Sequence, residues 1–186
     1  MTIIYLPIEI KDRELDSRLI IALELLRRGF EIVLGVGHEM IHRHSALPPG
    51  VHLLKGLNAV QCRRMEELAD AGSYVVALDE EAFGISDPEY IARDVAPEIA
   101  TTAKAIFSQG AVQENSLVNF RQIPSEIIYR TGNPRADLLQ PLFRQNYESE
   151  ASAIREKFDG IVLINNNSGS ANNVWENTEK YIEMLE

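Results

Sequence analysis

Six short apolar runs, set apart by stretches of helical spacing, constrain this chain more than any other feature of its sequence. They are residues 2–10, 31–35, 51–54, 74–78, 105–108 and 126–129, rich in aliphatic and β-branched side chains, and they predict strands. The first intervening stretch, 13–28, carries Leu15, Leu19, Ala22, Leu23 and Leu26 at helical spacing and ends in Arg27-Arg28-Gly29, a glycine stop. Further helices are expected over 38–46, about 58–71, 88–102 and 113–120.

Strands that alternate with helices need crossover connections, and right-handed crossovers make a parallel sheet with helices packed on it. The expected fold class is therefore α/β, a Rossmann-like doubly wound parallel sheet. After Pro134 the composition changes. Residues 135–158 read as a charged helical linker, 161–164 as a fresh strand entering the polar loop 165–172, and 173–186 as a helix through Trp175 and Tyr181. A lone strand and helix cannot build a core. The expected organisation is an amino-terminal domain over 1–134, a linker over 135–158 and the truncated start of a second Rossmann-like domain over 159–186. Trp175 and Tyr181 are expected to cover apolar surface.

A chain of 186 residues, 45% of them hydrophobic, can bury one full core. Its 18 Lys and Arg against 28 Asp and Glu give a net charge of -10, which repels a phosphate backbone, so nucleic acid is not an expected partner. Cys62 is the single cysteine, which excludes a disulfide framework and a thiolate zinc cluster and suits a reducing, cytoplasmic location. The apolar amino terminus has no basic leader and meets Glu9, Lys11, Asp12 and Arg13 before it could span a bilayer. It reads as a first strand, and the chain as not integral to a membrane.

Ligands of parallel sheets bind where the carboxyl ends of strands open onto helix amino termini. Four places qualify. After the first strand, Glu9 and Glu14 are candidate bases, and Lys11 and Arg13 candidate holders of an anionic group; the alternative is that Asp12 caps the helix and the other charges are solvated or mutually paired. After the fourth strand, Asp79, Glu80 and Glu81 offer a carboxylate to accept a proton, or simply complement a helix dipole. Ser108-Gln109-Gly110 lets a ligand approach the backbone or is an ordinary turn. In Thr131-Gly132-Asn133-Pro134-Arg135-Ala136-Asp137, Gly132 permits a strained turn, Asn133 can cap and Pro134 suits the first helical position. His38 and His42 would share a helical face, but no third ligand is evident, and neither a metal nor a cofactor is expected. Cys62 reads as a small helix residue, with nothing nearby to activate it.

Thr131-Gly-Asn-Pro-Arg135 resembles the junction that closes the amino-terminal domain of many GT-B glycosyltransferases. Together with residues 5–16, 27–35, 47–51, 78–81 and 131–139, it makes nearly the whole chain resemble the bacterial surface carbohydrate biosynthesis protein family. The resemblance implies the amino-terminal half of a GT-B-like two-domain architecture, acting on precursors of surface polysaccharide or lipopolysaccharide by sugar transfer from a nucleotide-sugar donor to a glycan acceptor. It implies an acceptor-side role for this domain, with Glu9, Asp79 and Glu80 as catalytic candidates. Lys11, Arg13, Glu14, Glu81, Asn133 and Arg135 become substrate-binding candidates. Ser168, Gly169 and Ser170 resemble the start of a donor-phosphate loop, most of whose domain would come from a longer product or a partner chain. Two further readings stay open: a non-catalytic glycan- or partner-binding domain, and a nucleotide-sugar epimerase, which shares the fold and the Gly-Asn motif.

Overall fold

The computed structural model describes residues 1–82, 84–158, 160 and 162. The chain divides after Arg144 into two compact units, Met1–Arg144 and Gln145–Glu186. The first opens with β1 (Ile3–Ile8), α1 (Lys11–Arg27), β2 (Glu31–Val36), α2 (Gly37–His42), β3 (Val51–Leu54), α3 (Ala59–Asp70) and β4 (Tyr74–Leu78). It continues with α4 (Pro88–Arg93), α5 (Ile99–Thr102), β5 (Ala105–Ser108), α6 (Ala111–Arg121), β6 (Ile128–Arg130), α7 (Pro134–Asp137) and α8 (Pro141–Arg144). In the second unit the described elements are a 3-10 turn, Gln145–Tyr147, and α9 (Glu148–Lys157). The strand and loop expected over 161–172 and the helix over 173–186 lie outside the described residues, Val162 apart.

The six described strands run parallel in the order β2-β1-β3-β4-β5-β6; each overlaps one of the six apolar runs, although β6 starts two residues later than expected because Ser125–Ile127 form a 3-10 turn. This is a Rossmann-like α/β sheet with helices on its faces. Alternation along the strands divides its core in two. Leu54, Val75, Ala77, Ile106 and Ile128 pack with Met65 and Leu68 of α3, Ile99 of α5 and Leu117 of α6. The alternate residues Ile4, Leu6, Leu53 and Leu78 pack with Ala22 of α1, joined by the half-buried Ile21 and Leu25.

Helix α1 departs from expectation in the face it buries. Its sheet-facing stripe is Glu14, Ser17, Arg18 and Ala22, while Leu19, Leu23 and Leu26 are exposed and Leu15 is half-buried. Both stripes have helical spacing, so periodicity alone cannot choose between them. The polar one turns inward because it meets partners at the carboxyl edge of the sheet, described below. The helix begins at Lys11 with Ile10 as its unassisted cap, so Asp12 lies in the first turn and does not cap.

Three expected helices are interrupted. The stretch 38–46 becomes α2 followed by a 3-10 turn, His44–Ala46. The stretch 88–102 divides into α4 and α5 around Pro97, with the Ala96 amide donating to the Leu57 carbonyl at 2.8 Å. The stretch 135–158 breaks into α7, α8, the 3-10 turn and α9, with Pro141 opening α8. Because α7 packs on α1, the residues just past Pro134 belong to the contact network of the first unit. No helix among the described residues is long and apolar enough to cross a membrane.

Candidate functional site at the carboxyl edge of the sheet

The chain leaves β1 for β2 on one side and then crosses to β3 on the other, so the strand order reverses between β1 and β3. Ligand crevices form at such a switch point. Pairing between β1 and β3 is confined to Ile4↔Val51 and Tyr5↔His52, whereas β1 follows β2 from Ile3 to Ile8. Beyond the paired residues, Glu9 and Lys55 leave the strand ends, and the Lys55 ammonium pairs with the Glu9 carboxylate. A small cavity of about 70 Å³ lies here, lined by residues including Pro7, Glu9, Glu14 and Leu54.

A larger cleft of about 530 Å³ adjoins the ends of β3 and β4. The β3–α3 connection contributes Lys55 and Asn58, and α3 contributes Gln61 and Arg64. The β4–α4 connection contributes Asp79, Glu81 and Ile85, and α4 contributes Tyr90; Glu9 also lines it. Asp79 is 6% exposed. Its Oδ1 accepts the Glu81 amide at 3.3 Å and its Oδ2 the Gln113 side-chain amide at 3.0 Å. Gln113 is itself aligned, because its Oε1 accepts the Gln109 amide at 2.8 Å while the Gln109 side chain donates to the Asp79 carbonyl. Burial pushes the Asp79 carboxyl up to about 6, and the Glu81 charge adds to the rise against the lowering effect of the amides and Gln113. The result is an oriented carboxylate that can exchange a proton near neutrality.

The neighbouring acids have different environments. Glu14 is fully buried, yet Oε2 accepts the Glu9 amide at 2.7 Å and Oε1 meets Arg13 Nη2 at 3.2 Å and Lys55 Nζ at 3.5 Å. Burial alone would raise its pKa; the Glu9 amide and the two cations outweigh it and hold the group below its usual range. Glu80 lies 2.9 Å from the fully buried Arg18 guanidinium. The two charges face each other without hydrogen-bond alignment: Arg18 Nε, Nη1 and Nη2 and both Glu80 oxygens have no hydrogen-bond partner among the described residues. Burial raises the Glu80 pKa and lowers that of Arg18, while Arg18 and, more weakly, Arg135 pull Glu80 back. Glu80 does not line the large cleft. It is an internal counterion.

The junction motif is built from its backbone outward. Gly132 has φ +80°, the left-handed conformation that favours glycine, and its amide and that of Thr131 donate to the Ser108 carbonyl at 3.2 and 3.1 Å. Asn133 Oδ1 caps α7 by accepting the Arg135 amide at 2.9 Å, with Pro134 in the first turn. Asn133 Nδ2 is buried without a hydrogen-bond partner among the described residues. Gly110 is extended, with φ 163°, and precedes α6 as its N-cap.

Thus Glu9, Asp79 and Glu81 share the large cleft; Glu14 and Arg13 support its edge, Glu80 and Arg135 meet electrostatically behind it, and Lys11 is exposed on the first turn of α1. Ser168, Gly169 and Ser170 lie outside the described residues. His38 and His42 meet edge-on with centroids 6.4 Å apart, and no group of three or more residues able to hold a metal occurs among the described residues. Cys62 is buried on α3, where burial pushes its thiol pKa up. Sequence reasoning missed Lys55, Arg64, Gln113 and Arg18. Lys55 was within reach, since it follows a predicted strand as directly as Asp79 does; the others depend on which helix face turns inward.

No family model matches the chain, and no curated protein or solved structure is significantly similar to it.

Proposed function

We propose that this chain provides the acceptor side of a glycosyltransferase-like sugar transfer in the biosynthesis of surface polysaccharide or lipopolysaccharide. A second Rossmann-like domain, on the same or a partner chain, would grip the nucleotide-sugar donor. The observation that carries the reading is Asp79: a buried carboxylate, oriented by Gln113, lining an open polar cleft at the carboxyl edge of a parallel sheet. The remaining support is the family resemblance of the sequence.

In this reading an acceptor sugar enters the cleft and its attacking hydroxyl donates its proton to Asp79. The hydroxyl oxygen forms a bond to the anomeric carbon of the donor, and the bond from that carbon to the nucleotide phosphate breaks with its electron pair leaving on phosphate oxygen. With a pKa of about 6, Asp79 is mostly ionised at neutral pH and is basic enough to assist. Glu9 is the weaker candidate because Lys55 already neutralises it. Asn58 and Glu81 supply hydrogen-bonding groups for sugar hydroxyls, and the Tyr90 ring an apolar surface.

The test is transfer of labelled sugar from a panel of nucleotide sugars to glycan acceptors, using this chain with its donor domain. Asp79→Asn is expected to lower kcat by about 100-fold or more while acceptor binding persists. Transfer that is unchanged in Asp79→Asn would overturn the assignment.

A further inference from the structure

The cations around the carboxyl edge divide into two groups. Arg13 faces Glu14 and Glu81, Arg18 faces Glu80, Lys55 faces Glu9 and Glu14, and Arg43 faces Glu39. The guanidiniums of Arg63 and Arg64, consecutive on α3, have neither a carboxylate within 4.0 Å nor a hydrogen-bond partner among the described residues. Glu67, one turn beyond Arg63, is not close enough to pair with it.

These two arginines occupy a specific place. Arg64 is half-buried and lines the 530 Å³ cleft, the 70 Å³ cavity at the switch point and a third cavity of about 190 Å³ between α2 and α3. The third is an open groove. Helix α2 contributes His38, Ile41 and His42; α3 contributes Val60, Arg63, Arg64 and Glu67. Glu39, the acid next to His38, is held by Arg43 at 2.7 Å and lies 3.5 Å from the His38 ring. Among the described residues Glu67 is therefore the one carboxylate lining this groove, beside two guanidiniums with no ion-pair partner there, on a chain whose net charge is -10. In a protein so acidic, a concave surface with uncompensated arginines concentrates positive potential locally. A guanidinium offers planar paired donors that match a carboxylate or phosphate, and Ile41 and Val60 give the groove an apolar lining for the body of a ligand.

We propose that the α2–α3 groove is an anion-binding subsite continuous with the cleft, which selects sugar acceptors carrying a carboxylate or phosphate group. It rests on the glycan-acceptor reading for the sugar, and on Arg63, Arg64 and the groove for the anion. A ligand that presents a hydroxyl to Asp79 in the cleft reaches Arg64 without leaving that cavity, because both residues line it.

The test is NMR titration of the isotopically labelled chain with glucose 6-phosphate, glucuronate, inorganic phosphate and glucose, observed at backbone amides and arginine Nε–H groups. The charged probes are expected to shift the resonances of residues 38–42 and 60–67 and of Arg64 Nε, with glucose leaving them unmoved. The stronger of glucose 6-phosphate and glucuronate identifies the preferred anion. Arg64→Gln should weaken binding about tenfold and Arg64→Lys less. Arg63→Gln, at an exposed helical position, should weaken binding without affecting folding, and Lys104→Gln, at the opposite edge of the sheet, should change nothing. Binding of glucose equal to that of the anions, absence of shifts in the groove, or wild-type affinity in both Arg63→Gln and Arg64→Gln would overturn the proposal. The titration contains no donor. Groove binding with normal transfer by Asp79→Asn would remove the catalytic reading and leave the subsite standing, whereas transfer lost in Asp79→Asn without groove binding would do the reverse.

Discussion

One face of the sheet is covered by α3, α5 and α6 around a continuous apolar core, from Leu54 and Met65 through Ile99 and Ile106 to Leu117. The other carries α1, whose inward stripe starts with Glu14 and Arg18 and becomes apolar only toward Ala22 and Leu25. The first core draws on β3 to β6 and the second on β1 to β5, yet the two faces of this one sheet solve different problems. The apolar face secures the strands against one another. The α1 face brings charge to the strand ends, where Glu14 and Arg18 reach Lys55 and Glu80, and keeps its aliphatic contacts farther along the helix. A buried ion pair is weak support for stability in itself, but strongly destabilising when half of it is removed.

This comparison can be broken first at Arg18. Arg18→Ala leaves Glu80 buried without its counterion and is expected to lower unfolding stability by about 3–5 kcal/mol in urea titration. The double change Arg18→Met with Glu80→Leu should recover most of the loss, since both charges are then gone. A cost below about 1 kcal/mol for Arg18→Ala would remove the distinction between the faces. On the apolar side, Leu117→Ala should cost about 2–5 kcal/mol, with no paired substitution that restores it by charge removal.

Two titrating groups sharpen the comparison further. Asp79 has its pKa raised by burial to about 6, so between about 4 and 6 the folded state holds more protons than the unfolded chain and stability falls as pH rises. His52 stacks on Tyr5 with centroids 4.3 Å apart and has its pKa lowered to about 4, by burial chiefly and then by His44. Between about 4 and 6.5 the unfolded chain holds more protons at His52, so its contribution rises with pH. Each effect is worth about 3 kcal/mol over its window, and the two oppose each other. Denaturant midpoints measured across pH 4–6.5 should therefore show a positive slope exposed in Asp79→Asn and a negative one in His52→Phe. Parallel profiles in the two variants would contradict the paired assignment. The smallest effect is expected at Leu23, on the exposed stripe of α1, where Leu23→Ala should change stability by no more than about 0.5 kcal/mol.

The strands were legible because each apolar run is short and punctuated, and a parallel sheet needs both features. The orientation of α1 was not, because two stripes of one helix satisfied the same spacing and the choice depended on Lys55 and Glu80, far away in sequence. At the site, Glu9 and Asp79 could be found from their position after strands. Glu80, only one residue beyond Asp79, could not be distinguished from it, since the backbone turns one carboxylate into the cleft and the other onto Arg18. The junction motif was readable as a turn and a cap at Gly132 and Asn133, while the influence of Arg135 on Glu80 required the folded chain.

Helix α4, one wall of the cleft, is six residues long and too short to persist alone. Arg121 of α6 donates to the Ala92 and Arg93 carbonyls at 2.5 and 2.6 Å, and Ser116 of the same helix donates to the Pro88 carbonyl at 2.5 Å. The wall is thus clasped at both ends by a single longer helix. Its amides should exchange with solvent in step with those of α6, as one cooperative unit. How long any ligand stays in the cleft would then be governed from the back of the wall, by side chains that the ligand never meets.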